Sequence, residues 1–284
     1  LRQEERGEPD LVHEHLVDPR LLTSAPPQAE LLGVGAPHGE GPRLSQAEVV
    51  QLLIDRARAG AVVVRLKNGD PMLFGRGGEE AAALAAAGGS CEIVPGVTSA
   101  LAVPAFAGIP VTHRYHASLV TIVTGHQACA SPPALPWTHL AGQGGTLVFL
   151  MALRTIESIV ERLMSHGLDG ATPAAMVQQG TTARQQTVVA TLATIAPAVR
   201  AARLRSPAVL VVGAVVGLRD TIAWAERRPL FGRRVLVTRP RGQASDLADR
   251  LTDAGAEAVL LPTIVIAPPP DAAPFEAALA QAGV

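Results

Sequence analysis

The sequence predicts an α/β protein organised around parallel strands, and three observations carry that expectation. Runs of β-branched apolar residues alternate with helical segments and Gly- or Pro-rich loops, the rhythm of strands joined by helical crossovers. Apolar residues make up 48% of the chain and aromatic ones 3%, so Ala, Val, Leu and Ile must fill the core, as in buried parallel strands under Ala-rich helices. At 284 residues the chain is also longer than the roughly 250 residues one core usually sustains, which predicts more than one domain.

Residues 46–59 place Val49, Val50, Leu53, Ile54 and Ala57 on one helical face, and Gly60 follows where a helix would end. Residues 61–66, continuously apolar but for Arg65, predict a strand covered on both faces. A Gly-rich loop leads to a helix over 79–87, stopped by Gly88 and Gly89, and then to a strand over 91–94. The rhythm returns with strands at 119–123, 146–150, 174–177 and 209–212, and 127–143 reads as a Pro-, Ala- and Gly-rich excursion. It restarts with a strand at 235–238, a loop over 239–242, a helix at 244–254, a strand at 258–261 and a Pro-rich turn at 268–270. Ligands of parallel sheets gather at the carboxyl ends of strands, so the loops that follow strands are the candidate sites.

A formal net charge of -1 argues against a nucleic-acid-binding surface. Cys91 and Cys129 have no CxxC spacing, so neither a disulfide framework nor a zinc ribbon is expected, and a reducing cytoplasm is the default. The longest apolar stretches, 146–153 and 207–218, are too short to span a bilayer. The opening Leu1-Arg2-Gln3-Glu4-Glu5 is no signal peptide and lacks Met, so a fragment is expected. His113, His116 and His126 have no acidic or thiolate companion at fixed spacing, and metal binding is not expected. Gly33-Val34-Gly35 with Gly39 and Gly41 lacks dinucleotide-loop spacing, and neither Gly-x-Ser-x-Gly nor HExxH occurs.

The most informative string is Arg65-Leu66-Lys67-Asn68-Gly69-Asp70-Pro71-Met72-Leu73-Phe74-Gly75-Arg76-Gly77-Gly78-Glu79-Glu80. It leaves a strand end, where Gly69 permits close backbone approach and Asp70 offers an acceptor to an ammonium or hydroxyl group. Val94-Pro95-Gly96-Val97-Thr98-Ser99-Ala100 leads into a helix that Thr98 or Ser99 can cap, with hydroxyls and amides equally able to receive a ligand. Met151 closes a strand, as core filler or as a thioether against an adenine ring. Gln179-Gly180-Thr181-Thr182-Ala183-Arg184-Gln185 is a polar loop between strands, either a hairpin turn or a ligand-facing backbone.

In order, these strings resemble the uroporphyrinogen-III C-methyltransferase family of the tetrapyrrole methylase superfamily, together with Ala107-Gly108-Ile109-Pro110-Val111-Thr112-His113-Arg114 and the segments 120–126, 146–153 and 207–213. The resemblance implies a two-lobed α/β tetrapyrrole methylase fold over 1–226, with lobes 1–117 and 118–226. The first lobe would hold a mostly parallel sheet, the second a mixed one, and the active site the cleft between them. It implies that Asn68, Gly69, Asp70, Leu73, Thr98 and Ser99, with Met151 and Gly180, line a site for S-adenosyl-L-methionine, which leaves as S-adenosyl-L-homocysteine. Two methyl groups would go to C2 and C7 of uroporphyrinogen III, giving precorrin-2 for siroheme and cobalamin. The substrate carries many carboxylates, for which Arg76, Arg114 and Arg184 are candidate bidentate partners, with surface salt bridging as the alternative.

The family's first strand and Gly-Pro-Gly-Asp-Pro loop are expected to lie ahead of this chain. Glu14 falls where an Asp is thought to act as base, Ala36 where a Lys acts as proton donor, and Asn68 where Gly is usual. Residues 232–240 and 260–264 resemble the start of uroporphyrinogen-III synthase, implying a truncated second domain over 231–284 and a fusion of consecutive steps. The family is homodimeric, so a homodimer is implied. Two rivals remain: a methylase of another precorrin, and a non-catalytic module that holds tetrapyrrole or cofactor.

Overall fold

The computed structural model describes residues 9–35, 44–126, 135–264 and 271–282. The chain divides into two compact units, Leu1–Ala102 and Val103–Val284. The first contains three parallel strands, β1 (Pro9–His13), β2 (Glu30–Gly33) and β3 (Val62–Leu66), in the order β2-β1-β3. Helix α1 (Pro19–Leu22), capped by the Asp18 carboxylate, lies between β1 and β2. Helix α2 (Gln46–Arg58) joins β2 to β3 and begins with a full capping box, Ser45 Oγ accepting from Glu48 N and Glu48 Oε2 from Ser45 N. Its predicted apolar face is the buried one: Val49 and Leu53 pack with Val12 and Val34, and Gly60, at φ 88°, turns the chain away. Helix α3 (Gly77–Ala86) follows β3, and α4 (Ser99–Phe106) carries the chain into the second unit.

Two expectations are corrected in this unit. Residues 91–94 are exposed and join no ladder, because β-branched composition makes a strand only where a partner edge is supplied. β3 is not covered on both faces, since it is an edge strand and Val64 is 47% exposed. β1 and β2, four or five residues each, were not expected at all. Ala36, Gly39 and Gly41 lie outside the described residues.

The second unit holds a mixed sheet of β4 (Val120–Thr124), β5 (Thr146–Leu150), β6 (Pro173–Gln178), β7 (Gln186–Thr191) and β8 (Ala208–Val212), in the order β4-β5-β8-β6-β7. β4 and β5 are parallel, whereas β8 is antiparallel to β5 and β6, and β7 to β6. β4, β5 and β6 therefore share one direction, and their carboxyl ends leave the same edge of the sheet. Helices α5 (Trp137–Gly142), α6 (Ile156–Ser165) and α7 (Leu192–Ala201) cover it. Ile156, Ile159, Val160 and Leu163 on α6, and Leu192, Ile195, Ala196 and Val199 on α7, repeat at helical spacing and form one buried cluster with alternate sheet residues such as Leu147, Phe149, Met176 and Leu210. The intervening Val148, Ala175, Val177 and Val211 are fully buried too, so the central strands are covered on both faces. Trp137 and Leu140 join the cluster, which is why 137–142 is helical rather than irregular; residues 127–134 of that expected excursion lie outside the described ones.

After two 3-10 turns, Ala214–Leu218 and Ala225–Arg227, and helix α8 (Arg219–Ile222) between them, the unit continues into the parallel pair β9 (Arg234–Val237) and β10 (Glu257–Leu260) joined by α9 (Arg241–Asp253). The strand, helix and strand expected there are present; helix α10 (Ala273–Ala282) follows, and the expected turn at 268–270 lies outside the described residues. No helix among the described residues is long and apolar enough to cross a membrane.

Phe149 is fully buried on β5, an interior strand of the larger sheet. Phe149→Ala should lower the unfolding free energy by about 3 to 5 kcal/mol, read from urea denaturation; a loss below about 1 kcal/mol contradicts this account of the core.

Candidate functional site

In the first unit, the pairing of β1 with β3 reaches His13 opposite Leu66. The next residues, Glu14 and Lys67, consequently emerge side by side at adjacent carboxyl ends, the edge where parallel sheets hold ligands. Lys67 Nζ lies 3.0 Å from Glu14 Oε1 and 3.1 Å from Glu80 Oε1, and Arg65 Nη2 lies 3.1 Å from Glu14 Oε1. The loop beyond is tied down by Asp70, whose Oδ1 accepts from Met72 N at 2.8 Å and Oδ2 from Gly96 N at 3.1 Å. The predicted acceptor thus joins loop 67–76 to loop 95–98. Gly96 is obligatory in that junction, since a Cβ there would lie 2.1 Å from Gly69 O.

Gly69 is left-handed, at φ 66°, and Asn68 is not. Leu73 is half-buried, and its N–H reaches Asp70 O at 3.3 Å. Thr98 Oγ1 accepts from Ala100 N at 3.3 Å and its carbonyl accepts from Leu101 and Ala102, so Thr98 caps α4. Ser99 is exposed.

In the second unit, Met151 follows β5 at φ 56° with its side chain exposed. Gln179 (φ 45°) and Thr181 (φ 71°) flank Gly180, where a Cβ would lie 2.4 Å from Val103 Cγ1. Met151 and the 179–181 turn leave the same sheet edge, with β8 between their strands and so about 10 Å apart. Phe74, Arg76, Met151, Gln179 and Thr181 all have positive φ; Arg203 is the one other non-glycine residue among those described that does. Such backbone costs about 1 to 3 kcal/mol per residue and persists where the surroundings enforce it, commonly at ligand sites. Both candidate regions therefore carry the same physical mark.

The hairpin loop 179–185 is clamped by buried Gln185. Its Oε1 accepts from Thr181 N at 3.0 Å, and its Nε2 donates to Glu226 Oε1 at 2.8 Å and to Phe106 O at 3.4 Å. Thr187 Oγ1 also donates to Glu226, which pairs with Arg219. Burial pushes the Glu226 carboxyl up, but the donors from Arg219, Gln185 and Thr187 together outweigh it and hold it below the ordinary glutamate value.

The three candidate arginines differ in what they touch. Arg76 makes a bidentate pair with Glu79, at 2.9 and 2.7 Å, and Arg184 makes one with Glu257 at the start of β10. Each guanidinium is raised by its partner's hydrogen bonds. Arg114 is exposed and has no ion-pair partner among the described residues. The His113 and His116 rings lie 4.8 Å apart, and no group of three or more His, Cys, Asp or Glu that could hold a metal occurs among the described residues. Cys91 is an exposed thiol; Cys129 lies outside the described residues.

Sequence reasoning missed Lys67, Glu80, Gln185 and Glu226. The available signal for the first two was an Arg-x-Lys at a strand end followed by Glu in the first turn of the next helix. Gln185 and Glu226 are 41 residues apart and left no local signal.

Glycine-dependent, strained loops at the carboxyl ends of parallel strands define an α/β protein of the small-ligand-handling class. A family profile described as Tetrapyrrole (Corrin/Porphyrin) Methylases matches residues 7–196, and the chain belongs to that family. It is 45% identical over 213 residues to the S-adenosyl-L-methionine-dependent uroporphyrinogen III methyltransferase of Methanosarcina barkeri (strain Fusaro / DSM 804), covering 75% of this chain and 83% of that one. It is 37% identical over 260 residues to the porphyrin biosynthesis protein HemD of Ruminiclostridium josui, covering 92% of this chain and 51% of that one, so the chain spans about half of that relative's length. The crystal structure of uroporphyrin-III C-methyl transferase from Thermus thermophilus complexed with S-adenyl homocysteine matches with a TM-score of 0.62 at 35% identity, covering 75% of this chain and 89% of that one. The parallel and mixed sheets are accordingly those of the α/β tetrapyrrole methylase fold.

Gly180→Ala should destabilise the chain by about 1 to 3 kcal/mol through overpacking against Val103, and adding Val103→Ala should recover most of it in thermal denaturation. Additive losses would refute the contact. Because the folded Glu226 carboxyl is depressed, its contribution is complete above the ordinary carboxylate range and is lost as pH falls through the lower folded value. Denaturation midpoints followed from neutral pH to about pH 3 should decline less steeply for Glu226→Gln than for the parent chain, and parallel curves would contradict the assignment.

Proposed function

We propose that the chain transfers methyl groups from S-adenosyl-L-methionine to carbon atoms of uroporphyrinogen III, at C2 and C7, giving precorrin-2 and S-adenosyl-L-homocysteine. The observation that carries this reading is the 45% identity over 213 residues to a protein named for such a methyl transfer, a match longer than either compact unit. Asn68, Gly69, Asp70, Leu73, Thr98 and Ser99 in the first unit, and Met151 and Gly180 in the second, are the proposed cofactor contacts. They fit the group: the amide of Asn68, the hydroxyl of Ser99 and the thioether of Met151 are exposed, and so is the backbone of Gly69.

The cofactor supplies an electrophilic methyl group on a sulfonium centre. A pyrrole carbon is already electron-rich, so the protein's part is to align the reactants and exclude water. Transfer forms a carbon–carbon bond, returns the carbon–sulfur electron pair to sulfur and releases one ring proton per methyl group. Glu14 is the proposed acceptor of that proton. Arg114 is open to a substrate carboxylate, whereas Arg76 and Arg184 must exchange Glu79 and Glu257 for one.

Residues 231–284 are proposed to begin a uroporphyrinogen-III synthase domain. The β9-α9-β10 unit supports this, as does the match over 92% of the chain to the R. josui protein, which must run past residue 226. Family resemblance supports a homodimer acting in the cytoplasm.

Calorimetry should detect S-adenosyl-L-methionine binding, and anaerobic incubation with uroporphyrinogen III should yield a dimethylated isobacteriochlorin-type product. Methylation of later corrinoids alone would replace the substrate assignment, and binding without transfer to any tetrapyrrole would favour a non-catalytic module. Arg114→Met should raise the substrate KM about tenfold and leave cofactor affinity unchanged.

A further inference from the structure

Four charged side chains of the first unit form one network of two cations and two anions. Lys67 and Glu80 are its inner end, with side chains 4% and 6% exposed, and Glu14, at 32%, is its open end. Lys67 Nζ bridges them, 3.0 Å from Glu14 Oε1 and 3.1 and 3.3 Å from the two Glu80 oxygens. Arg65 runs alongside, 3.1 Å from Glu14 Oε1 and 3.4 Å from Glu80. Glu80 is anchored twice more, by its place in the first turn of α3 and by Gln46 Nε2 of α2, which donates to Oε1 at 2.9 Å.

An ammonium withdrawn from water needs acceptors, and Lys67 has one on each side. Apolar residues of similar volume can generally replace a buried ion network without loss of stability, so stability alone is weak reason for one. What this network does secure is the placement of the exposed carboxylate. Both cations make their contacts with Glu14 through the same oxygen, Oε1, Lys67 Nζ at 3.0 Å and Arg65 Nη2 at 3.1 Å. We propose that Lys67 and Glu80 are positioning residues for Glu14: Glu80 fixes the Lys67 ammonium, and the ammonium fixes one oxygen of the carboxylate so that the other can receive the ring proton. This deepens the methyltransferase reading and rests on it for the role of Glu14.

The test uses the whole chain with Glu80→Gln, Lys67→Met, Glu14→Gln and the doubles with Glu14→Gln. Glu80→Gln and Lys67→Met should each lower kcat for methyl transfer on the order of tenfold to a hundredfold, as misplaced groups do. The KM values for cofactor and tetrapyrrole should stay within ~twofold of the parent. Neither substitution should lower kcat further when Glu14 is already Gln. Equal losses in both backgrounds, or an unchanged kcat in the singles, overturn the proposal. A crystal structure of the Glu80→Gln chain gives a reading independent of activity: the Glu14 carboxylate should be displaced from its parent position by about 1 Å or divided between two positions, and a carboxylate that keeps its place refutes the positioning role. A parent chain that methylates no tetrapyrrole refutes instead the reading of the site, so the two failures are told apart.

Discussion

A lysine whose side chain is 4% exposed must be met by acceptors inside the protein, and the carboxyl-end edge of the first unit's sheet is arranged around that requirement at Lys67. Parallel pairing brings Glu14 to one side of the ammonium, and α3 delivers Glu80 to the other. Glu80 can stand there because the chain between β3 and α3 folds back sharply, with Gly77 N donating to Pro71 O at 3.0 Å and Asp70 holding both Met72 and Gly96. The glycines and the Asp of this segment thus serve a single geometrical end: they return the helix to the strand from which it came.

The second unit solves its own problem by different means. Its sheet core is covered on both faces with almost no polar groups, and the polar work is confined to one edge. There Gln185 and Glu226 hold the hairpin loop, so that Gln179 and Thr181 can keep left-handed conformations their side chains disfavour. The strain is sustained by buried hydrogen bonds, whose loss would leave Gln185 and Glu226 without partners as well as releasing the turn.

Legibility in the sequence followed the range of the interactions. α2 was readable because its apolar residues recur at helical spacing and Gly60 closes it, and β5 because five buried residues run without interruption. The strings 65–80 and 179–185 were readable as loops leaving strand ends because Gly beside polar residues there is a local pattern. β1 and β2 were not, since strands this short exist only through their partners. The same dependence misled in the other direction at 91–94, where composition favoured a strand that no edge receives. Lys67 lay inside the most informative string and still escaped notice: its importance comes from Glu14, which is 53 residues away in sequence and adjacent only through strand register.

The arginines show how chemistry alone underdetermines a role. Guanidinium groups suit a polycarboxylated ligand, yet Arg76 and Arg184 already hold carboxylates of the chain itself. Both arginines are more than half exposed, and exposed pairs of this kind contribute only about 0.2 to 1 kcal/mol each. A ligand carboxylate can displace such a partner at small cost, so the observed pairing does not remove either residue from substrate binding. The buried network around Lys67 is the opposite case. There Lys67 and Glu80, with side chains 4% and 6% exposed, cannot separate without leaving a buried charge uncompensated, and that fixity is what the proposed role of Glu14 asks of its surroundings.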